Sequence, residues 1–252
     1  MFCGPGELSG RSSFKIGIGV EALGKRPLVR RRGRGGIQFR APSKGKLFEA
    51  RYPSTSLGET RVGKVTNIIH ERGRGRPLAQ VRFEDNSYAY VPAVTGLTTG
   101  SKIELGPTAN PTSGNVLPLS KIPEGSTISN IERNYGDGGK LVRASGSSAI
   151  LFSQTPEGAI VRMPSGKTMT LDSRCRATLG VVSGGGRLEK PFLRAGARFH
   201  LMKARGKAYP RVRGIAMQAV YHPFGGGRHQ HPGKSTSTSR YAPPGRKVGH
   251  IA

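Results

Sequence analysis

Tryptophan is absent, aromatic residues make up only 6% of the chain, and two cysteines, Cys3 and Cys175, are all that occur in 252 residues. Two cysteines cannot build a disulfide framework or a four-ligand zinc site on their own, so a reducing cytosol is the simple reading. With so few rings, base-stacking platforms are not expected to dominate nucleic-acid binding, whereas phosphate contacts could. No apolar run approaches the ~18 residues of a membrane span. Phe14–Leu23 is interrupted by Lys15 and Glu21, and no small-residue cleavage site follows it, which argues against a secretory leader. Scarcest of all is negative charge: 14 Asp and Glu stand against 41 Lys and Arg, and none of the 14 lies beyond Glu189.

That imbalance, +27 with a pI near 11.3, selects polyanions as partners. Its placement says more than its size. Residues 24–60 carry ten cations against Glu49 and Glu59, residues 190–252 carry thirteen against none, and residues 61–189 carry sixteen against ten acids. A nearly balanced middle is flanked by two strongly basic arms. Blocks of like charge repel and favour extended states that a partner orders. Within the second arm, the stretch from Tyr221 to Ile251 has glycine or proline every few positions and little apolar periodicity. It has too little apolar surface to offset roughly 1–2 kcal/mol of backbone entropy per ordered residue. The first arm, Gly24 to Pro42, is arginine- and glycine-rich and is expected to be extended by Pro27 and Pro42.

The middle reads as β-structure. Val62–Ile69, Leu78–Phe83, Tyr88–Val91 and Lys102–Leu105 are short runs rich in Val, Ile, Phe and Tyr, divided by turn formers such as Asp85-Asn86. Pro107–Pro123 looks like a proline-broken connector. A second set follows: Ile128–Glu132, Lys140–Ala144, Ala149–Ser153, Ala159–Met163, Lys167–Leu171 and Cys175–Val182. Strands so short and so evenly spaced predict small barrels rather than a parallel sheet. Helix is limited to short turns around Phe192–Lys207.

Enzymatic motifs fail on context. Gly233-Lys234-Ser235 ends like a P-loop, but Arg228 occupies the first glycine position and Pro232 sits inside the loop. Gly17-x-Gly19-x-x-Ala22 matches a dinucleotide pattern, yet Gly24 and Pro27 forbid the helix it needs. His222, His229 and His231 lie within ten residues and invite a metal or acid–base reading. No carboxylate or cysteine from Lys190 onward completes such a site, so RNA contact is favoured and no metal or cofactor is expected. No G-x-S-x-G nucleophile elbow occurs. Duplex-DNA reading would need a recognition helix, and none is apparent. The arms carry the chemistry: arginine forks and lysine charges for phosphates, with glycine permitting close backbone approach. An RNA-directed enzyme built on the three histidines and a free nucleic-acid chaperone are the competing readings.

His222-Pro-Phe-Gly225-Gly226-Gly227, His229-Gln-His231-Pro-Gly-Lys234 and Ala242-Pro-Pro-Gly-Arg246-Lys247-Val-Gly249 together resemble the C-terminal signature of the second-protein family of the large ribosomal subunit, in its archaeal/eukaryotic form. Arg30-Arg-Arg-Gly-Arg34-Gly-Gly36, Leu117-Pro-Leu119, Ile122-Pro-Glu-Gly125, Gly136-Asp-Gly-Gly-Lys140, Arg174-Cys-Arg-Ala-Thr178 and Lys203-Ala-Arg-Gly206 extend the resemblance over nearly all of 24–252. It implies an OB-fold barrel followed by an SH3-like barrel, mostly β, with long irregular basic N- and C-terminal extensions. The implied divisions are 1–23, outside the family pattern; 24–61, an RNA-threading arm; 62–117, the OB-like barrel; 118–190, the SH3-like barrel; and 191–252, a basic rRNA-binding extension.

The resemblance further implies a non-enzymatic cytoplasmic ribosomal protein near the peptidyl-transferase region, supporting subunit association and tRNA placement. Its partners would be large-subunit rRNA, neighbouring ribosomal proteins, the small subunit at the interface and, indirectly, tRNA, with no membrane and no DNA. The expected rRNA-binding residues in the first arm are Arg30, Arg31, Arg32, Arg34 and Arg40. In the second they are Lys203, Arg205, Arg211, Arg213, Arg228, Lys234, Arg240, Arg246 and Lys247, with Gly225, Gly226, Gly227, His222, His229 and His231. His222 corresponds to the family's debated histidine near peptide transfer. The acidic residue that usually precedes it is Tyr221 here. The family also tends to continue into a short basic tail where this sequence has Ile251-Ala252.

The family usually begins Met-Gly-Lys-Arg, where this sequence has Leu23-Gly24-Lys25-Arg26. Leu23 is therefore expected to decode an alternative initiation codon, with residues 1–22 translated only from a start assigned too far upstream. The intact mass of the protein taken from its own ribosomes is then expected to lack those 22 residues, and their detection would refute the expectation.

Overall fold

In the computed structural model, which describes residues 27–46, 49–54 and 58–252, the chain divides into two compact units. One spans Ile37–Pro210. The other joins the described residues up to Gly36 with Arg211–Ala252. The expectations for residues 1–23, and the cations Lys25 and Arg26, lie outside the described residues.

The larger unit contains two β-modules along one ten-stranded sheet, in the order β3-β2-β1-β4-β5-β10-β6-β7-β8-β9. The first module has β1 (Arg61–His70), β2 (Pro77–Phe83), β3 (Tyr88–Pro92) and β4 (Lys102–Leu105). β1 pairs antiparallel with β2 from Gly63↔Phe83 to His70↔Pro77, with a bulge between Val65 and Asn67. The β2–β3 turn closes as its polar residues predict: Asn86 takes φ 60°, and the Asp85 carboxylate accepts the Ser87 N–H at 3.1 Å. Val65, Val81, Phe83, Val91, Ile103 and Leu105 face inward and form one core.

The second module has β5 (Val116–Pro118), β6 (Thr127–Ser129), β7 (Ala149–Thr155), β8 (Gly158–Arg162), β9 (Thr168–Leu171) and β10 (Arg176–Leu179). Its separate core includes Leu117, Leu119, Ile128, Ile131, Leu151 and Val161. The two ladders meet at one parallel pair, Leu105↔Val116. This is the expected mostly β architecture, an OB-fold barrel followed by an SH3-like barrel.

Local departures from the pattern have identifiable causes. The proline-rich connector hides β5, because Pro118 occupies the strand's last position, where its missing N–H is tolerated. The run expected at Lys140–Ala144 shrinks to a single bridge, Ile131↔Leu141, and Val142 at φ 50° breaks any continuation. Asn130 at φ 48° likewise ends β6 at Ser129. The turns foreseen near Phe192–Lys207 form a full ten-residue helix, α2 (Ala195–Ala204). It stops because Gly206, at φ 64°, closes a Schellman motif: Gly206 N–H bonds Lys203 O at 3.1 Å and Lys207 N–H bonds Met202 O at 2.9 Å.

In the smaller unit, β11 (Ser237–Thr238) pairs in parallel with β12 (His250–Ile251). Thr238 and Val248 are its buried side chains among the described residues, linked by a Thr238 hydroxyl donating to Val248 O at 2.9 Å. Instead of running fully extended, the first arm closes one helical turn, α1 (Leu28–Arg32). Pro27 fixes its own φ at −55°, and its carbonyl accepts the N–H groups of Arg30 and Arg31 at 3.0 and 3.2 Å. Three arginines in that last turn suit the negative end of the helix dipole.

A buried ion pair ties the larger unit together. The Glu132 carboxylate, 0% exposed, accepts from Arg176 Nη2 at 2.7 Å, from the Arg176 backbone N–H at 2.9 Å and from Gly138 N–H at 2.9 Å. Arg176 Nη1 donates to Pro53 O at 3.0 Å, and its guanidinium carbon sits 5.4 Å from the centre of the Tyr52 ring. The Tyr52 hydroxyl donates to Asn130 O at 2.7 Å and meets Thr178 Oγ1 at 2.5 Å. Burial pushes that phenol above its ordinary pKa. Removing one partner of such a pair strands the other charge, so Glu132→Ala is expected to lower the unfolding free energy of the full chain by about 3–5 kcal/mol in urea titration. The double replacement Glu132→Leu, Arg176→Met is expected to recover most of that loss; equal stability of Glu132→Ala and the parent would refute the role.

Candidate nucleic-acid interface

The expected phosphate-binding cations divide between the two units. Arg40, Lys203 and Arg205 belong to Ile37–Pro210, and the others to the smaller unit. Arg30, Arg31, Arg32, Arg34 and Arg40 are all solvent-facing, as are Lys203, Arg211, Arg213, Arg228, Lys234 and Arg240. Some of these, Arg31 and Arg213 among them, and the less exposed Arg205, Arg246 and Lys247 are also held by the protein itself. Arg205 Nε donates to Gly73 O at 3.0 Å, Arg213 Nη2 to Gln230 Oε1 at 3.2 Å, and Arg246 Nη1 to Thr238 Oγ1 at 3.4 Å. Arg31 lies 5.8 Å from the Tyr221 ring centre, and Lys247 is half-buried.

Within the smaller unit, Arg32, Arg211, Arg213, Gly214, Met217 and His222 line a cleft of about 380 Å³. Three guanidiniums and one imidazole in one hollow favour an anion. His222 packs on Gly214, where any Cβ would overlap the ring. Its Nδ1 accepts the Phe224 N–H at 3.1 Å, which leaves Nε2 to carry the proton of the neutral form. Burial holds its pKa below 6.5. Neutral His222 therefore offers an Nε2–H donor to an oxygen of a ligand. No hydrogen bond or ion pair from His222 to a carboxylate is found among the described residues.

The glycine triplet serves this geometry. A Cβ at Gly225 would lie 2.5 Å from both Met217 O and Gln218 O, and Gly226 N–H bonds Met217 O at 2.9 Å. At these two positions glycine permits the chain to fold against its own backbone, whereas Gly227 stays open and exposed. His229 and His231 are exposed. No group of three or more His, Cys, Asp or Glu side chains placed to hold a metal occurs among the described residues. Cys175 is buried, its thiol reaching Arg133 O at 3.7 Å, and burial pushes its pKa up to about 11, so it is a poor nucleophile.

In a second cationic centre, only Arg205 was among the expected residues. At the β1–β2 turn and the loops facing it, Arg74, Arg76, Arg143, Arg187 and Arg205 converge. Arg74 Nε pairs with Glu71 Oε2 at 2.6 Å. Arg76 donates to Arg143 O, and Arg143 donates to Ala50 O. A Cβ at Gly75 would stand 3.2 Å from the Arg187 guanidinium carbon and 3.3 Å from Arg205 Nη2. Arg76 is 8% exposed, and its Nε and that of Arg143 are buried without a hydrogen-bond partner. Burial, reinforced by Arg143 and Arg74, pulls the Arg76 pKa down to about 10; burial, then Arg74, lowers that of Arg143. Among these five guanidiniums only Arg74 pairs with a carboxylate in the described residues, so the cluster is a site that an anion would relieve. The signal was present as Arg72-Gly-Arg74-Gly-Arg76, but its glycines read as turn formers and the balanced charge of the middle masked it.

Because the folded chain favours neutral His222, its contribution to stability is present above pH 6.5 and is lost as pH falls below that value toward the depressed pKa. Proton NMR of the imidazole is expected to place its midpoint below 6.5, and Gly214→Ala, which displaces the ring toward solvent, is expected to raise it. A midpoint at or above 6.5 in the parent would refute the buried, neutral assignment.

Comparison with known proteins agrees with this architecture. The profile for Ribosomal Proteins L2, C-terminal domain, matches residues 112–245. The large ribosomal subunit protein uL2 of Cenarchaeum symbiosum is 50% identical over 230 residues, covering 91% of this chain and 95% of that protein. Those of Halorubrum lacusprofundi and Methanothermobacter thermautotrophicus are 52% and 49% identical, again over 91% of this chain and over 96% and 97% of theirs. A profile spanning more than half the sequence and relatives matched almost end to end lead to one conclusion: the chain belongs to the uL2 family of large ribosomal subunit proteins.

Proposed function

We propose that this protein is a structural constituent of the large ribosomal subunit that binds rRNA through its sugar–phosphate backbone, in the cytoplasm. The observation that carries the reading is the guanidinium cluster around Arg76, whose charge the protein's own carboxylates leave largely unmatched. The Arg32–Arg211–Arg213–His222 cleft adds a second anion site, and the exposed cations of residues 24–60 and 190–252 add a broad electrostatic footprint. Such contacts position a folded RNA and read its shape.

The same reading assigns residues 24–61 and 191–252 as rRNA-embedded extensions around barrels at 62–117 and 118–190. Its finer parts are a place near the peptidyl-transferase region, support of subunit association and of tRNA placement, and contacts with neighbouring ribosomal proteins and the small subunit. They rest on the family resemblance around His222. The role is that of a scaffold: the chain holds RNA, and His222 donates a hydrogen bond there.

The test is the salt dependence of attachment. Full-length chain assembled into large subunits is expected to pellet with them through a moderate-salt wash, whereas a free chaperone would wash off. Arg143→Gln is expected to weaken RNA binding about tenfold and to reduce the log–log salt slope by roughly 0.7–0.9, one phosphate contact. An unchanged salt curve would remove the cluster from the interface.

A further inference from the structure

We propose that the apolar hollow between the Ile37–Ser43 segment and α2 receives a single unpaired nucleobase of the RNA; this rests on the rRNA-binding function above and specifies a subsite within it. The hollow measures about 610 Å³, within the roughly 300–1,000 Å³ range of small-ligand clefts, and lies wholly in the larger unit. Ile37, Phe199 and Tyr209 supply apolar surface, and Arg40, Lys203 and Lys207 stand among them. Ile37 is 95% exposed and Phe199 43%, an apolar display that nothing else in the described fold covers.

The walls are already set. A Cβ at Gly206 would lie 2.6 Å from Ala41 N and 2.9 Å from Phe39 O, so the end of α2 and the Phe39–Ala41 backbone are locked face to face. The Arg198 guanidinium lies 5.4 Å from the Tyr209 ring centre, and His200 sits edge-on to Phe199 at 5.5 Å. Rings held in place before binding lose little entropy when a flat ligand arrives.

Charge decides the occupant. No carboxylate lines the hollow, and three cations do. An apolar peptide segment seated there would strip water from three uncompensated charges. A nucleotide matches both features: its base offers a π-face to Phe199 and Tyr209, and the phosphates on either side reach Arg40, Lys203 and Lys207. Extruded bases of a folded RNA have this shape, and paired ones do not.

The experiment uses the full chain within large subunits, with a photoreactive benzophenone amino acid in place of Phe199. Irradiation is expected to join it to one rRNA nucleotide. In subunits carrying Phe199→Ala, that nucleotide is expected to become about tenfold more reactive to base-modifying probes, the scale of one lost stacking contact. Phe199→Trp is expected to keep it protected. A chain that stays in the subunit but crosslinks only to protein, or whose Phe199→Ala form changes no nucleotide, overturns the base pocket alone. A parent chain that washes off the subunit overturns the rRNA-binding function, and the pocket with it.

Discussion

The Glu132–Arg176 pair is the constraint on which the larger unit depends. A carboxylate with no solvent exposure is tolerable only when its lone pairs are filled, and those of Glu132 are met by a guanidinium and two backbone N–H groups. The arginine does more than neutralise it. Through Pro53 O and the Tyr52 ring it draws the segment ahead of β1 onto the second module, whose strand β10 carries Arg176 itself. The modules also meet at the parallel pair Leu105↔Val116 and at the bridge Val94↔Val182, and this polar knot adds a third tie between them.

Elsewhere the protein leaves its charges unfinished. Arg76 and Arg143 are crowded together with buried nitrogens that find no acceptor, and the cleft beside His222 collects three more guanidiniums. A free-standing enzyme of this size would dilute such density with acids. Here the acids are used to build folds: Asp85 and Asp172 close turns, Asp137 pairs with Lys140, and Glu132 locks a core. What remains is a surface whose ground state is incomplete without a polyanion, and RNA chemistry fits that incompleteness at each of these places.

Most of the barrels were legible in the sequence, because alternating Val, Ile and Phe between polar turns specify a strand wherever one side is buried. The exceptions turn on backbone detail that period-two reading ignores: a strand ending on Pro118, and left-handed residues at Asn130 and Val142. Helical turns around Phe192–Lys207 were expected, but the full length of α2 escaped because its sequence carries no regular apolar stripe and its end is set by the Gly206 closure. In the site, the arm cations were visible as runs of charge. The Arg74–Arg76–Arg143–Arg187 centre was not, since its members are up to 113 residues apart in sequence and only the fold assembles them. His222 was singled out by its neighbours, but its neutral state depends on Gly214 and Phe224 contacts that no motif states.

The reach of Arg176 back to Pro53 has a temporal consequence. The two residues are 123 positions apart, and Tyr52 also closes on Thr178 across 126. A chain made from its N-terminus onward therefore exposes Tyr52 well before anything exists to receive it, and the latch can shut only after β10 has emerged. Until then the early module is a provisional object, and completion of the barrel pair is a late, cooperative event in the life of the nascent polypeptide.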